Sequence, residues 1–381
     1  MRDPVRLGPR YWQARYRRWP KRGASSDGYS LLVPVPGDLP VFLRLALAVC
    51  RHQDPASRLE TLVVPDRVTP LMKDIVARAR HDWPGPLRLQ PLPVPERWVL
   101  PRLGNPGRNH ASQLIAGVSH SSGTHIVLHD ADLFLMSRDL HRRQFEMCRQ
   151  RQLACLGISP PWDPWFAEHG RELAATWELC AQVAWLRSFA PVLHMAHQNE
   201  MFGEQHMFDT TFYPQALSDP ALIAVSPTED FVHFNYVISN YRHFVRPRTG
   251  PWPDNRFRLL LVRLLIEIFD HDGAGSYQLP SLAELGGCLG IESGPVKFPE
   301  RQKGEQTYRS FRDLMGRALT GPWVDDVRRQ LAAEALAPST VSTAAKAPNC
   351  SRSSLPLRGR ARCLAACLPE ASEPRMYHMI H

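Results

Sequence analysis

The feature that most limits how this chain can fold is an alternation, from residue 30 to residue 129, of short apolar runs with amphipathic segments. The apolar runs are typical of strands buried on both faces, and the segments between them have helical spacing of apolar residues. Strands that alternate with helices through short loops predict a mostly parallel sheet covered by helices, an α/β fold. The predicted strands are 30–35, 59–64, 87–93 and 124–129, and the predicted helices are 39–53, 70–83 and 107–120.

Beyond residue 140 the pattern is coarser but continues the same mixture of strands and helices. Two long helices near the end, 254–270 and 307–337, predict a helical C-terminal extension. From residue 338 onward the chain is rich in Ala, Ser, Pro and Arg, a composition typical of disorder. The remaining predicted elements are a strand within 151–160, helices at 168–190 and 203–217, and a strand at 221–225.

The charge of the chain favours anionic partners, since the net charge is +9 and the pI about 9.3. Much of the excess lies at the ends: residues 1–28 carry eight Lys and Arg against two Asp. No motif in the sequence predicts nucleic-acid binding. The basic and aromatic stretch 11–22 would suit an anionic membrane surface. With scattered cysteines and no apolar leader, we expect a cytoplasmic protein, with peripheral contact at the inner membrane face as an open alternative and no deducible partner protein.

Two Asp-x-Asp triplets occur, and their surroundings differ. Asp270 and Asp272 follow a predicted helix and precede a glycine, as helix ends do. Asp130 and Asp132 follow the predicted strand 124–129, and ligands of open α/β sheets bind at the carboxyl ends of strands. Two neighbouring carboxylates can share a divalent cation, which takes its other ligands from water and substrate phosphates. The first triplet therefore predicts a metal and phosphate site, with a polar turn as the alternative.

Residues 30–140 resemble the nucleotide-sugar-binding half of GT-A-fold glycosyltransferases, in particular family 2-like enzymes, and a weaker resemblance continues to about residue 245. Four pieces occur in the family's order, and the last two together are the specific ones. The pieces are "LLVPVPGDLPVFLRLALAVCRHQ", "LVVPD", "GRNHASQLIAGVSHSSGTHIVLHDAD" and "LFLMSRDL".

The resemblance implies a GT-A fold and a metal-dependent transfer of a sugar from a nucleotide-sugar donor to an acceptor hydroxyl. The expected cofactor is Mn²⁺ or Mg²⁺, the expected donor a UDP-sugar, and the acceptor a carbohydrate, a lipid-linked glycan or a small molecule. The expected parts of the chain are a basic, flexible segment (1–28), a catalytic domain (29–250) with a nucleotide-sugar half (29–140) and an acceptor half (141–250), a helical extension (251–337) and a disordered tail (338–381).

Five site residues follow from the resemblance. It implies that Asp132 coordinates the metal ion and that Asp130 contacts the ribose and a metal-bound water. Asp66, at the end of the second strand, would face the base, and Arg108 and Asn109 would lie near the sugar diphosphate. Each also has a purely structural interpretation: an ordinary turn for Asp66, and the first turn of a helix for Arg108 and Asn109.

Inverting glycosyl transfer needs a carboxylate that deprotonates the acceptor hydroxyl. The stretch "NEMFGEQHMF" offers Glu200 and Glu204. Glu204 is preferred because it opens the predicted helix 203–217, although an acidic residue also stabilises a helix start by itself. Asp209 and Asp230 are fallbacks. The family's usual Glu-Asp acceptor motif is not seen as such.

Aromatic and histidine residues complete the candidate site. Some GT-A enzymes add a histidine as a third metal ligand near the end of the catalytic domain, which His233 or His243 could provide; each could equally be a structural histidine. Trp162 and Trp165 could form a platform for an acceptor sugar or a core cluster.

Two other classes of protein remain open. One is a zinc-dependent hydrolase with His194, His197 and Glu200 as ligands, although the histidine spacing differs from that of the common helical zinc motif. The other is a nucleotide-binding protein that keeps the sheet without catalysis.

Overall fold

A seven-stranded sheet runs through the centre of the chain in a computed structural model, which describes residues 11–21, 23–103, 106–160, 163–226, 230–234, 237–245, 256–281 and 313–336. All of these residues belong to one compact unit, Met1–Pro338. The strands are β1 (Ser26–Val35), β2 (Arg58–Pro65), β3 (Leu87–Leu89), β4 (Gly123–His129), β5 (Leu133–Leu135), β6 (Cys155–Ile158), β7 (Ala175–Gln182), β8 (His197–Met201), β9 (Glu204–Phe208), β10 (Ile223–Ser226) and β11 (Phe231–His233).

Helices surround this sheet. The α-helices are α1 (11–15), α2 (Pro40–Arg51), α3 (Pro70–Ala79), α4 (Val94–Leu103), α5 (Pro106–His120), α6 (Leu140–Gln150), α7 (Trp165–Glu168), α8 (Val183–Ser188), α9 (Phe212–Leu217), α10 (Val237–Val245), α11 (Arg256–Phe269), α12 (313–319) and α13 (Asp326–Leu336). Short 3₁₀ helices lie at Pro191–His194, Pro220–Leu222 and His271–Ser276. No helix among the described residues has the length and apolar character needed to cross a bilayer.

The sheet is mostly parallel. Its strand order is β10-β6-β7-β4-β1-β2-β3, and β1 pairs in parallel with both β2 and β4. Only β7 runs against its two neighbours, β4 and β6. The predicted fold class, an α/β fold with a mostly parallel sheet flanked by helices, is therefore confirmed.

The order of the strands creates a crevice between the ends of β1 and β4. From β1 the chain winds outward through β2 to β3, and then returns to the other side of β1 to form β4. The connections after β1 and β4 thus leave in opposite directions, and ligands of open α/β sheets bind at such a switch point. The residues that follow β4 are Asp130 and Asp132.

Both faces of the sheet are buried, which explains why the strands read as continuous apolar runs. Leu31 and Val33 of β1 belong to a core under α2, α6 and α11, while Leu32 belongs to a second core under α5 and α8. Helix α5 lies very close to the sheet. A Cβ atom on its Gly117 would stand 2.7 Å from the Leu32 Cδ1 atom, so this glycine permits the approach.

Two predicted helices are wrong. The middle of the predicted helix 168–190 is strand β7, and only Val183–Ser188 of that range forms a helix of its own. Strand β7 is buried between two other strands and so shows no alternation of polar and apolar residues. The predicted helix 203–217 begins as strand β9, paired with β8 in a hairpin, and only Phe212–Leu217 is helical. Phe202 and Gly203, with φ of 54° and 82°, form the two-residue turn. Glu204 therefore opens a strand rather than a helix.

The basic N-terminal stretch packs against the second core from residue 11 onward. Trp12 and Tyr16 are buried there, and the Trp19 indole donates a hydrogen bond to the Phe189 carbonyl at 2.7 Å. These aromatic side chains therefore pack against protein. The flexible segment expected at 1–28 is thus packed at these residues. Residues 1–10 and the tail expected at 338–381 lie outside the described residues.

Glu60 links β1, β2 and the residue before β4 on the side of the sheet away from the crevice. Its buried carboxylate accepts hydrogen bonds from the Ser30 hydroxyl at 2.8 Å and from the Ser122 amide and hydroxyl, each at 2.7 Å, and it pairs with Arg88. Burial alone would raise the pKa of Glu60, but these hydrogen bonds and the Arg88 charge outweigh burial and hold the pKa below its ordinary value of 4.5.

This lowered pKa predicts an acid-sensitive contribution to stability. A carboxylate with a lower pKa in the folded state stabilises the fold above its ordinary pKa, and the contribution is lost as the pH falls through the folded-state value. Glu60→Gln should therefore lower the free energy of unfolding at pH 7 by about 1–3 kcal/mol and flatten its decline below pH 4.5. Denaturant titrations at several pH values measure this. The exposed Glu172→Gln is the control, and equal pH profiles for wild type and Glu60→Gln would contradict the prediction.

Candidate functional site

Asp130, Asp132 and His233 meet at the mouth of the crevice. Strand β5, directly after the Asp-x-Asp triplet, pairs with β11 and sets Leu133 opposite His233. The His233 Nε2 atom consequently lies 3.2 Å from the Asp132 Oδ1 atom. One carboxylate oxygen from each aspartate and one ring nitrogen of the histidine all lie within 4.8 Å of one another. The structure thus brings together the three residues predicted as metal ligands.

The chemistry of this group fits a divalent cation. Asp132 is 6% exposed, and the His233 ring packs 4.0 Å from the Trp177 ring. Two carboxylates at this separation repel each other unless a positive charge lies between them. Carboxylate oxygens suit Mg²⁺ and Mn²⁺, and an added imidazole nitrogen favours Mn²⁺ of the two. The donor set therefore fits the expected Mn²⁺ better than the expected Mg²⁺.

His110 is a member of the site that sequence reasoning missed. It lies in the first turns of α5, and its Nε2 atom stands 3.1 Å from the Asp130 Oδ1 atom. Burial lowers the pKa of His110, but the negative charges of Asp130, Asp209 and Asp132 outweigh burial and raise it. The only signal in the sequence was the position of His110 directly after the Arg108–Asn109 pair.

Asp66 lies on the side of the crevice where the nucleoside is predicted to bind, and it links several elements there. One of its carboxylate oxygens accepts a hydrogen bond from the Gly37 amide at 2.7 Å. The other accepts from the Asn109 side chain at 2.8 Å and from Arg242 at 2.6 Å. Because both oxygens are engaged and the residue is 7% exposed, Asp66 joins β1, β2, α5 and α10 rather than presenting a free carboxylate.

Arg242 was also missed by sequence reasoning. Its guanidinium pairs with Asp66 and, at 3.1 Å, with Asp38, which in turn pairs with Arg67 at 2.7 Å. Burial raises the pKa of Asp38, but the charges of Arg242 and Arg67 outweigh it and hold the pKa below its ordinary value. The neighbouring His243, the alternative third ligand, has a side chain outside the described part of the chain.

Arg108 and Asn109 occupy the first turn of α5, whose N-terminus faces the crevice. The side chain of Asn109 points to Asp66, and that of His110 points to Asp130. The amide groups and positive dipole end of a helix N-terminus attract anions. The half-buried Arg108 adds a formal positive charge at this end of the helix.

The four candidate carboxylates for the base differ sharply in their surroundings. Glu200 and Glu204 are exposed on the β8–β9 hairpin, and the Trp165 indole donates a hydrogen bond to Glu204 at 2.9 Å. Asp230 forms an ion pair with Arg143 at 2.8 Å.

Asp209, the remaining candidate, is coupled to the metal-ligand group. Its charge raises the pKa of His110, and burial, followed by the charges of Asp130 and Asp163, raises the pKa of Asp209 above its ordinary range. The backbone amide of Thr210 donates to it at 2.7 Å. Asp209, a fallback in the sequence interpretation, is the carboxylate of these four whose charge acts on His110.

Aromatic rings line the hairpin beside this site. Trp165 stacks on His206 with 4.0 Å between ring centroids, and His169 stacks on Phe202 at 4.9 Å. Phe202 is 45% exposed at the tip of the hairpin. Trp162, the other predicted platform residue, lies outside the described residues.

The zinc-hydrolase alternative is not supported by the geometry. His194 is buried and its Nε2 atom donates to the Leu186 carbonyl at 2.7 Å; burial lowers its pKa to about 4. The His197 Nδ1 atom donates to the Met195 carbonyl at 2.6 Å, and Glu200 is exposed. Within the described part of the chain, these three do not form a group of converging metal ligands.

The second Asp-x-Asp triplet ends a helix, as predicted. Helix α11 stops at Phe269, and the Asp270 carboxylate pairs with Arg44 and accepts a hydrogen bond from the Tyr277 hydroxyl. Asp272 is exposed in the following 3₁₀ turn. Asp270 is thus a structural residue.

No protein-family model matches the chain, and no curated protein sequence matches it. Among solved structures, it is similar to the mannosyltransferase PcManGT from Pyrobaculum calidifontis in complex with GDP-Man and Mn²⁺, at 16% identity over 83% of this chain and 92% of that chain, with a TM-score of 0.36. It is similar to glucosyl-3-phosphoglycerate synthase from Mycobacterium tuberculosis, at 14% identity over 57% of this chain and 79% of that chain, with a TM-score of 0.36.

A third similar structure is TarS from S. aureus, at 12% identity over 80% of this chain, with a TM-score of 0.36; the chain spans 50% of that structure. All three TM-scores lie below 0.5. We therefore base the proposal of function on the site.

Proposed function

We propose that the chain is a metal-dependent glycosyltransferase that moves a sugar from a nucleotide-sugar donor, most simply a UDP-sugar, to an acceptor hydroxyl. The observation that carries this proposal is the convergence of Asp130, Asp132 and His233 at the switch point of a mostly parallel sheet. A divalent cation held by few protein ligands takes the rest from water and substrate phosphates. A nucleoside diphosphate at this crevice would supply phosphate ligands to the cation and would lie where open α/β sheets bind their ligands.

Under this proposal the residues on the donor side have separate tasks. Asp132 and His233 would hold the cation, which would neutralise the charge that develops on the departing diphosphate. Asp130, kept in place by His110, would contact the ribose and the cation's hydration shell. The N-terminus of α5 with Arg108 would face the diphosphate.

The nucleoside pocket would depend on the network around Asp66. Arg242 and Asn109 hold that carboxylate at the junction of β1 and β2. Asp66 would therefore shape the pocket for the base instead of contacting the base directly.

The acceptor would enter from the side of the β8–β9 hairpin. Asp209 would accept the proton of the acceptor hydroxyl, because it is the candidate carboxylate coupled to His110 and Asp130. The exposed face of Phe202 would contact a carbohydrate ring, whether the acceptor is a free glycan, a lipid-linked glycan or a small molecule.

A thermal-shift screen tests the proposal. The full chain is mixed with UDP-, GDP- and dTDP-sugars, each with and without Mn²⁺. We expect one nucleotide to raise the Tm clearly more with Mn²⁺ than without it, because a ligand that binds only the folded state stabilises it by RT ln(1 + [L]/Kd). If no nucleotide shifts the Tm, the proposal fails. A shift without turnover on any acceptor would indicate the non-catalytic nucleotide-binding alternative.

A further inference from the structure

A second group of metal-ligand side chains lies inside the protein, beneath the end of β4. It consists of Cys50 from α2, His129 from β4, His141 from α6 and Glu178 from β7, which we call the buried cluster. All four side chains are fully buried. The proposed transfer reaction does not use them.

Donor atoms of three residues of the buried cluster lie close to one another. The Cys50 Sγ atom and one ring nitrogen from each of His129 and His141 all lie within 4.8 Å of one another. The His129 Nδ1 atom is bonded to the Glu178 Oε2 atom at 2.8 Å. The opposite ring nitrogen, Nε2, is directed away from Glu178. A histidine that binds a metal ion commonly donates its other N–H to a carboxylate in this way.

Glu178 also pairs with the second histidine of the cluster. The His141 Nε2 atom lies 3.1 Å from the Glu178 Oε1 atom. The other ring nitrogen of His141, Nδ1, is buried and has no hydrogen-bond partner among the described residues. Glu178 therefore contacts both imidazoles of the cluster.

Leaving these atoms unpaired would be costly. Each buried polar atom without a partner costs about 1–3 kcal/mol, and native proteins contain few of them. Here the buried His129 Nε2 and His141 Nδ1 atoms have no hydrogen-bond partner among the described residues. One ion bound by Cys50 and the two histidines would lower this cost.

We propose that Cys50, His129 and His141 bind a structural Zn²⁺ ion, and that Glu178 holds the two histidines in place. The Cys50 thiolate and the nearby Glu178 carboxylate together carry two negative charges, which balance a divalent cation. Sulfur and imidazole nitrogen select zinc over Mg²⁺ and Mn²⁺. Because the three ligands and Glu178 are all fully buried, a substrate has no access to the ion.

The zinc ion would hold the base of the crevice in shape. His129 directly precedes Asp130, and Trp177, which packs on His233, directly precedes Glu178. Cross-linking β4 and β7 to α2 and α6 would fix the strand ends that carry these residues. The inference does not depend on the proposed sugar transfer, since a buried zinc site would exist whatever the crevice binds.

Metal analysis of the purified full chain tests the inference. After treatment with EDTA at neutral pH and gel filtration, we expect about one Zn²⁺ per chain by mass spectrometry. Cys50→Ser should reduce this at least tenfold, because it removes the thiolate. Cys155→Ser is the matched control, since Cys155 is equally buried but outside the cluster, and it should keep the zinc. The double variant Asp132→Asn/His233→Gln should also keep it.

Cobalt substitution provides a readout that does not depend on activity or on the stability of a variant. Wild-type protein expressed in medium with Co²⁺ in place of zinc should show the near-ultraviolet charge-transfer band of a cobalt–thiolate bond. His141→Gln should keep this band while changing the visible bands of the ion. Wild type without tightly bound metal, or a cobalt form without the thiolate band, would overturn the inference and leave the cluster as a network of hydrogen bonds. Retained zinc in a folded Cys50→Ser variant would also overturn it.

Discussion

Asp132→Asn should reduce sugar transfer, or hydrolysis of the donor that the thermal-shift screen identifies, on the order of 10³-fold, or about 4 kcal/mol. Asparagine is nearly isosteric with aspartate but lacks the charge that holds a hard cation, so the stabilisation of the departing diphosphate would be lost. The Mn²⁺-dependent part of the Tm shift should disappear with it. Steady-state kinetics over a range of Mn²⁺ concentrations, together with the thermal shift, measure both effects.

The chain contains its own control for this experiment. Asp272 belongs to the other Asp-x-Asp triplet, is exposed and lies after helix α11. Asp272→Asn should leave both turnover and the Mn²⁺ effect within twofold of wild type. Activity of Asp132→Asn near that of Asp272→Asn would exclude the crevice metal group from the reaction.

Asp209→Asn should lower turnover by about 10²–10⁴-fold, the range typical for loss of a general base, while donor binding with Mn²⁺ stays close to that of wild type. The reason is its position: Asp209 is the candidate carboxylate whose charge acts on His110, which contacts Asp130. Single-turnover kinetics with saturating donor separate this loss from a loss of binding.

Glu204→Gln is the comparison for Asp209→Asn. Glu204 is exposed, and its carboxylate accepts a hydrogen bond from Trp165, so its replacement should reduce turnover only modestly. If Glu204→Gln loses turnover and Asp209→Asn keeps it, the base is Glu204, as the sequence interpretation first preferred. If neither variant loses turnover, neither Asp209 nor Glu204 is the base.

The fold class and the location of the crevice could be predicted from sequence because both depend on local patterns. Strands buried on both faces leave continuous apolar runs, and helices on a sheet leave apolar residues at helical spacing. Asp130 and Asp132 stood out because they follow such a run directly. The two wrong helix predictions concern segments in which the local pattern does not distinguish a strand from a helix. Strand β7 is buried like a core helix, and the turn at Phe202 and Gly203 depends on two positive φ angles, one of them at a phenylalanine.

Tertiary structure alone decided which distant side chains meet. His233 lies 101 residues from Asp132, and Arg242 lies 176 residues from Asp66. Many histidines and arginines downstream could have taken these positions, and no spacing rule selects among them. The selection comes from strand pairing and helix packing, in which β11 joins β5 and α10 places its arginine beside two aspartates.

The buried cluster shows most clearly the difference between what local sequence predicts and what tertiary structure decides. Its four residues come from two helices and two strands, and none is close to another in a recognisable metal-binding motif. The sequence by itself determined a mostly parallel α/β sheet and the aspartate pair at a strand end, because backbone preference and burial act over a few residues. Tertiary structure alone decided which carboxylate acts on His110, which histidine approaches Asp132 and where the residues of the buried cluster meet, since these contacts depend on how distant elements pack around the sheet.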